Sequence, residues 1–123
     1  MIEVKRGEIW ICQDRIDAVG SELRKNRPVV IIQNDTGNRF SDDTIVAKIT
    51  RNISRWIYPT QFDVRFSESG KVSRVQCESL ETVHKSRLTK KIGQLNPLEL
   101  KMLEICLCVS LGIGIADRRN NHD

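Results

Sequence analysis

The stretch Arg27-Pro-Val-Val-Ile-Ile-Gln-Asn-Asp-Thr-Gly-Asn-Arg-Phe40 decides the fold of this chain. It places an unbroken apolar run, residues 29–32, between an arginine and a turn of asparagine, aspartate and glycine. A short apolar run with such borders is typical of a strand that is covered on both faces. A second apolar run, residues 44–49, follows and ends at Thr50. The two runs predict strands whose ends bring Arg27 and Thr50 to one groove.

Short runs rich in β-branched and aromatic residues indicate further strands on both sides of this pair. Turn-forming residues separate the runs, and the lysines of the last run would discourage pairing with another sheet edge. A single helical turn is predicted at residues 86–88, just before that last strand. The additional predicted strands cover residues 8–12, 60–64, 72–77, 80–83 and 90–94.

One helix is predicted, close to the end of the chain. Asn96 can cap it, Pro97 suits its first position, and Glu99 completes a capping box. The helix is expected to run to about Ser110 and to end at Gly112. Its second half is apolar almost all round, which favours a surface shared with a second copy of the chain. The alternative is a helix sunk in its own core.

Many short strands, close turn signals and one late helix predict a mainly β fold with a C-terminal α-helix, built as a small β-barrel. The 123 residues suit one domain, which we assign to residues 1–115. A polar tail at residues 116–123 is expected to fray. The polar connection at residues 13–26 exceeds the usual length, which indicates a function or disorder.

Charge and composition limit the possible partners. Twenty basic and 16 acidic residues give a net charge of +4, which permits a phosphate-bearing partner without requiring one. No apolar run approaches the ~20 residues needed to span a bilayer, and neither end resembles a signal peptide, so the cytoplasm is expected and no membrane. Metal-ligand spacing is absent from the cysteines, so we expect reduced, mostly buried thiols and neither metal nor cofactor. These are Cys12, Cys77, Cys106 and Cys108.

Arg27 and Thr50 suit chemistry on RNA, which carries its own nucleophile in the 2′-OH. An enzyme can cleave RNA by holding that hydroxyl in line with the phosphorus and by neutralising the charge that develops. The guanidinium of Arg27 is always charged and matches two phosphate oxygens. Thr50 could hydrogen-bond the 2′-OH or the phosphate. Each could equally be an ordinary surface arginine and an ordinary strand-end threonine.

Further polar and aromatic residues suit contacts with a single strand. Arg51, Arg55 and Trp56 offer charge for phosphates and a ring for stacking, although Trp56 could instead bury against the barrel. Gln33 and Asn34 carry amides suited to base edges. Asn34 could equally bond its own backbone neighbourhood and close the strand.

In their order and spacing these segments resemble the MazF/PemK toxin family. The resemblance covers roughly residues 4–113, and no single motif decides it. It implies an SH3-like barrel that dimerises. The segments that carry it are Val4-Lys5-Arg6-Gly7-Glu8-Ile9-Trp10, Gly20-Ser21-Glu22, Arg27-Pro28-Val29, Gln33-Asn34-Asp35, Gly37-Asn38-Arg39-Phe40, Ala47-Lys48-Ile49-Thr50, Glu78, Thr82 with Arg87-Leu88, and Ser110-Leu111-Gly112.

The resemblance implies the toxin of a type II toxin–antitoxin system. The implied activity is a metal-independent, sequence-specific endoribonuclease that cuts single-stranded mRNA and leaves 2′,3′-cyclic phosphate and 5′-hydroxyl ends. The implied partner is a small MazE-like antitoxin, whose disordered acidic segment would compete with RNA. Operator DNA would be bound only in complex with that antitoxin.

The resemblance also assigns roles to residues. Arg27 matches the family's catalytic arginine, which would stabilise the pentacoordinate phosphate, and Thr50 matches its catalytic threonine. A threonine hydroxyl is a poor base, so we expect it to supply a hydrogen bond. The residues expected to bind RNA, from the resemblance or from their own chemistry, are Gly20, Ser21, Glu22, Gln33, Asn34, Arg51, Arg55, Trp56 and Glu78.

The chain departs from the family pattern at Leu23-Arg24-Lys25-Asn26, at Ser79 and at Glu81. The first departure adds bulk and charge to a loop, and the other two remove an amide and reverse a charge. We expect them to alter base readout or antitoxin fit. Two alternatives stay open: a CcdB-like gyrase poison on the same barrel, and a non-catalytic RNA-binding module.

Overall fold

The computed structural model describes residues 2–14, 25–66 and 70–114. Within these ranges, no helix is both long enough and apolar enough to cross a bilayer. The predicted tail and residues 15–24 of the predicted long connection lie outside them. The elements are β1 (Glu8–Gln13), β2 (Asn26–Ile31), α1 (Asp35–Phe40), β3 (Asp43–Thr50), β4 (Gln61–Val64), β5 (Ser73–His84), a 3₁₀ turn (Lys85–Arg87), β6 (Leu88–Gln94) and α2 (Pro97–Leu111).

The six strands form one antiparallel sheet in the order β4-β5-β3-β2-β1-β6. The turn Lys85–Arg87 joins β5 to β6, although four strand spacings separate them in that order. In a flat sheet those spacings would amount to about 19 Å, whereas the connection spans at most about 14 Å. The sheet must therefore curl until its distant strands approach each other.

The two edges of the curled sheet also meet. Phe66, which follows β4, packs so closely on Gly93 of β6 that a Cβ at Gly93 would lie 3.1 Å from the Phe66 Cβ. The described strands do not close the ring by a β4–β6 hydrogen-bonded ladder. The predicted mainly β fold with a C-terminal helix is confirmed, as a curled, barrel-like sheet whose described strands are not closed by hydrogen bonds and whose edges touch at this contact.

An apolar cluster lies on each face of the sheet. One is covered by α2 through Leu103 and Cys106, and the other is smaller and formed from strand residues together with Val4 of the N-terminal segment. β2 contributes side chains to both clusters, because Val30 belongs to the first cluster while Val29 and Ile31 belong to the second. This double coverage explains the unbroken apolar run of β2 and confirms the prediction that both its faces are buried.

The helix α2 begins and ends where its local signals predict. The Asn96 side chain accepts from the Glu99 backbone N–H at 2.8 Å, and the Glu99 carboxylate accepts from the Asn96 N–H at 2.9 Å. Pro97 occupies the first turn, and Gly112 ends the helix with φ of 66°, which favours glycine. Local capping signals therefore mark both boundaries of the helix.

Two local predictions are wrong. The predicted turn after β2 is a short helix, α1, which Asn34 caps by accepting from the Gly37 N–H at 2.7 Å. The two predicted pieces at residues 72–77 and 80–83 are one strand, β5, with a kink. The register jumps from the Lys48–Gln76 pair to the Ala47–Leu80 pair, so the three residues between bulge out of the ladder.

Candidate active site

The two predicted catalytic residues lie at one end of the sheet on neighbouring strands. Val29 of β2 pairs with Lys48 of β3, and Arg27 and Thr50 each lie two residues beyond that pair. Side chains two residues apart along a strand point to the same face. The structure therefore brings Arg27, Lys48 and Thr50 to the same face at the same end of the sheet.

A cleft of about 330 Å³ opens at this end. Three cations and two carboxylates line it, so its described walls carry a net charge of +1. Thr50 lies beyond its rim rather than on its wall. The lining residues are Cys12, Gln13, Asp14, Arg27, Val29, Lys48, Glu81 and Arg87.

On one side of the cleft, Arg87 and Glu81 form an ion pair with each other. Arg87 Nη1 lies 3.2 Å from a carboxylate oxygen of Glu81, and its Nε donates to the carbonyl of Gln13 at 2.8 Å. The half-buried guanidinium thus ties β5 to β1 across the curl of the sheet. Glu81, a departure from the resembled family, is neutralised by this partner and adds no free negative charge to the cleft.

On the other side of the cleft lie Arg27 and Lys48, whose charges are available to bind an anion. Arg27 Nε stands 3.9 Å from the Asp14 carboxylate with 58% of the side chain exposed, a contact worth at most about 1 kcal/mol. The Lys48 side chain is exposed, and its ammonium has neither an ion pair nor a hydrogen bond with any residue in the described ranges. Sequence reasoning missed Lys48 as a site residue, although its place two residues before Thr50 already put it on the same face.

Thr50 is the last residue of β3, and its hydroxyl makes a hydrogen bond with the backbone that follows. Its Oγ1 accepts from the backbone N–H of Asn52 at 3.1 Å, which leaves the hydroxyl hydrogen to be donated elsewhere. Across the β3–β5 ladder Thr50 pairs directly with Arg74. The threonine is half-buried, so its orientation is set by the backbone on both sides.

Arg74 is a buried cation that sequence reasoning missed. Its Nε and Nη2 bond the two carboxylate oxygens of Asp63 at 2.7 and 3.2 Å. Its Nη1 donates to the carbonyls of Ser54 and Trp56 at 3.1 and 2.8 Å. The hydrogen bond to Asp63 raises the pKa of Arg74 further above its ordinary value, against the effect of burial. The network joins β4, β5 and the connection that follows Thr50.

That connection, residues 51–60, carries three of the predicted RNA-binding residues. Arg51 and Arg55 are exposed, and Trp56 is 78% exposed, so the alternative in which Trp56 buries against the barrel is wrong. Its neighbours Ile57 and Tyr58 are exposed as well. The structure thus brings an aromatic and cationic surface to the strand end that bears Thr50.

Glu78, also predicted to bind RNA, lies in the kink of β5. Its carboxylate accepts from the Thr60 hydroxyl at 2.9 Å and from the Gln61 amide at 2.5 Å. It therefore fastens the kink to the start of β4. The carboxylate stays at the surface, beside the connection just described, but it does not line the cleft.

Gln33 and Asn34 lie at the other end of β2, roughly 20 Å from Arg27 by the length of the strand. Asn34 caps α1, as its alternative interpretation held, and the Gln33 amide donates to Asn38 Oδ1 and to the Asp43 carbonyl, each at 3.1 Å. Neither is brought to the cleft within one copy of the chain. Gly20, Ser21 and Glu22 lie outside the described residues.

A larger cleft, of about 770 Å³, lies away from this site. The N-terminal segment and α1 line it, together with Lys85, and it contains none of the predicted site residues. Lys85 is buried there and donates to the Asn38 carbonyl. The larger cleft therefore has no link to the site residues that the sequence singles out.

The cysteines are free thiols, as predicted. Burial raises the pKa of Cys77 to about 12, with Cys106 and Glu78 adding to the shift, and burial also raises the pKa of Cys106 and of Cys12 beside the cleft. These three thiols stay protonated at neutral pH and are poor nucleophiles. In residues 2–14, 25–66 and 70–114, no three His, Cys, Asp or Glu side chains cluster as metal ligands would.

Comparison with known proteins gives one consistent result. A family model described as PemK-like, MazF-like toxin of type II toxin-antitoxin system matches residues 5–111. Endoribonuclease EndoA of Bacillus subtilis is 38% identical over 112 residues, which cover 89% of this chain and 96% of that protein. Endoribonuclease MazF of Staphylococcus saprophyticus is 37% identical over 112 residues, covering 89% and 92%.

Solved structures share the fold at lower identity. An endoribonuclease in complex with its cognate antitoxin from mycobacterial species superposes with a TM-score of 0.72 at 22% identity, covering 90% of this chain and 97% of that one. MazF in a MazE–MazF crystal structure from Deinococcus radiodurans gives 0.72 at 16% identity, covering 93% and 100%.

Proposed function

The chain belongs to the PemK-like, MazF-like toxins of type II toxin–antitoxin systems, and from this premise we infer that it is a sequence-specific endoribonuclease acting on single-stranded mRNA. The observation that carries the inference to particular residues is the meeting of Arg27 and Thr50 at one sheet end, beside a cleft with available positive charge. Phosphodiester cleavage needs charge neutralisation and positioning, and this arrangement supplies both.

The reaction needs only groups of the RNA, of this chain and of solvent water. The ribose 2′-OH gives its proton to water as its oxygen bonds the phosphorus, the bond from phosphorus to the 5′ oxygen breaks, and that oxygen takes up a proton from water. The products are a 2′,3′-cyclic phosphate and a 5′-hydroxyl. Arg27 neutralises the charge on the pentacoordinate phosphate, and the Thr50 hydroxyl donates a hydrogen bond that holds the phosphate or the 2′-OH in line.

The RNA path extends from the cleft along the exposed connection after β3. Lys48 contacts a phosphate next to the scissile one, Arg51 and Arg55 contact further phosphates, and Trp56 stacks on a base. Glu78 adds a hydrogen-bond acceptor at the edge of this path. Gly20, Ser21 and Glu22, which lie outside the described residues, remain proposed RNA contacts on the ground of the family resemblance alone.

A homodimer is supported by α2. Leu98, Met102, Ile105 and Val109 are 41 to 72% exposed and follow a helical spacing that gathers them in one stripe. The face of α2 that covers the core lies on the other side, through Leu103. A continuous exposed apolar stripe marks a protein surface that binds a partner, and a second copy supplies the same stripe.

The second partner is a small antitoxin, as in the complexes of the structural neighbours. Its acidic segment would occupy the positive side of the cleft and exclude RNA, and the complex would bind operator DNA. The cytoplasm is the compartment in which mRNA and such an antitoxin meet the toxin.

The test is incubation of the purified protein with a long single-stranded RNA in excess EDTA, with mapping of cut positions and end groups. Discrete cuts with cyclic phosphate ends, lost in Arg27→Ala and kept in Arg39→Ala, support the proposal. Arg39 is a matched control because it is an exposed arginine on α1 that lines the larger cleft and not the one with Arg27. Intact RNA from folded protein that instead inhibits gyrase would move the function to a poison.

A further inference from the structure

We propose that Arg74 is a positioning residue that holds residues 51–58, the platform loop, rigid, so that Trp56 stacks on a nucleotide flanking the scissile phosphate. The inference rests on the proposed ribonuclease function and deepens it, because it identifies a residue that determines how strongly the bases next to the cleavage site bind. It concerns a residue that contacts no substrate itself.

The platform loop would be mobile if only its own residues held it. It has no regular secondary structure, and most of its side chains are exposed. A connection with few buried contacts usually opens at little cost in free energy. A tryptophan on such a loop would lose entropy on binding, and stacking would be weak. A device that fixes the backbone removes this cost.

Arg74 provides that device. Four N–H groups of its guanidinium are used, two on the Asp63 carboxylate and two on the carbonyls of Ser54 and Trp56. The Ser54 hydroxyl donates to the same Trp56 carbonyl at 2.8 Å. Two backbone oxygens of the platform loop are thus turned inward onto one planar cation, which is 6% exposed. The planar guanidinium is itself held by the Asp63 carboxylate, so it fixes the two carbonyls, and with them the loop backbone, in one geometry.

The inward carbonyl and the outward ring belong to the same residue. Because Arg74 holds the carbonyl of Trp56, the indole stays at the surface, 78% exposed, instead of collapsing onto the barrel. Arg74 is also the ladder partner of Thr50, and paired α-carbons in such ladders lie roughly 5 Å apart. The platform loop is therefore anchored beside the catalytic threonine, where a neighbouring base would lie.

A purely structural role would need less than this network. The ion pair between Arg74 and Asp63 already joins β4 to β5 across a ladder pair. The two bonds to carbonyls add nothing to that junction and act only on the platform loop. Substitutions can therefore separate the stability of the sheet from the order of the loop.

The experiment measures binding of a single-stranded RNA that contains the mapped cleavage site with a 2′-deoxy sugar at the cut, so that it binds without being cleaved. Trp56→Ala, Arg74→Gln and the double variant are compared with the wild type. We expect about tenfold weaker binding for each single variant and no further loss in the double variant, because both changes remove the same interaction. On a cleavable RNA, KM should rise while kcat is kept.

Asp63→Asn is the matched control. It weakens the ion pair between the strands but leaves the carbonyl bonds of Arg74, so thermal stability should fall while RNA binding changes less than threefold. Should Arg74→Gln not fold, Arg74→Lys replaces it, since one ammonium cannot span Asp63 and both carbonyls. Wild-type binding by Arg74→Gln, or losses that multiply in the double variant, would overturn the inference while wild-type cleavage still upholds the ribonuclease. A wild type that neither binds nor cuts RNA would overturn both.

Discussion

Arg27 and Lys48 line one cleft from neighbouring strands, and their charged groups face the same space. Lys48 has no ion-pair partner within the described ranges, and the contact of Arg27 with Asp14 is long and exposed. Two cations side by side repel each other, and an anion placed between them relieves the repulsion. This local balance favours a phosphate at the position where the proposed chemistry requires one.

The first prediction concerns Arg27. Arg27→Ala should lower kcat/KM for RNA cleavage by about 100-fold to 1,000-fold, because the developing phosphate charge loses its main counter-charge. The side chain is 58% exposed, so the free energy of unfolding should change by less than about 1 kcal/mol. Single-turnover cleavage and a urea melt measure the two quantities. A cleavage rate near the wild-type value would exclude Arg27 from catalysis.

Lys48 should act on binding rather than on chemistry. Lys48→Gln should reduce the slope of log Kd against log salt by about 0.7, the value of one phosphate contact to a single strand. The maximal cleavage rate should stay within a few-fold of the wild type. Lys90→Gln is the control, since Lys90 is exposed on β6 and does not line the cleft. An unchanged slope in Lys48→Gln would show that no phosphate binds there.

Thr50 is predicted to act through its hydroxyl rather than its shape. Thr50→Val keeps the branched side chain but removes the donor and the bond to the Asn52 N–H. Cleavage should fall about tenfold to 100-fold, the value of a hydrogen bond to a charged group. Thr50→Ser keeps both bonds and should retain activity within a few-fold. Wild-type cleavage by Thr50→Val together with a loss in Thr50→Ser would show that the methyl group rather than the hydroxyl is needed.

How far the sequence predicts this site depends on how local each signal is. Asn96, Glu99 and Gly112 act on their own helix, so both ends of α2 were predictable to within about one residue. The alternation of β3 puts Lys48 and Thr50 on one face and needs no tertiary information. Arg74 gave no such signal, because its burial depends on Asp63 of another strand and on loop carbonyls that only the folded chain brings together.

The kink of β5 escaped prediction for a related reason. Residues 77–79 have no partners on β3 and bulge out of the ladder. Such a bulge is a change of register, and register is a property of two paired strands rather than of one stretch of sequence. The same bulge turns Glu78 toward Thr60 and Gln61, so the role of that carboxylate was equally hidden.

The buried thiol of Cys77 predicts a pH dependence of stability. Burial raises its pKa from 9.0 to about 12, so above pH 9 the unfolded chain ionises this thiol while the folded chain keeps it neutral. Its contribution is fully present below pH 9 and is lost as pH rises toward 12, at about 1.4 kcal/mol per unit. The wild type should lose about 2 kcal/mol more than Cys77→Ala between pH 8.5 and 10.5. Parallel urea melts of the two proteins measure this, and equal losses would contradict it.

The exposed stripe of α2 predicts how the dimer can be broken. Ile105 lies in the middle of the stripe with Met102 and Val109 and is 55% exposed. In a symmetric dimer Ile105→Glu buries two carboxylates against apolar side chains, each costing several kcal/mol, whereas in a monomer it meets only water. Light scattering at micromolar concentration should therefore show a dimer for the wild type and a monomer for the variant. The thermal stability of the variant should be equal to that of the wild type or lower. Phe40→Glu makes the same kind of change on α1, at a side chain 76% exposed and away from α2, and should leave the dimer intact. A dimeric Ile105→Glu protein would place the interface on another surface, and a monomeric wild type would remove it altogether.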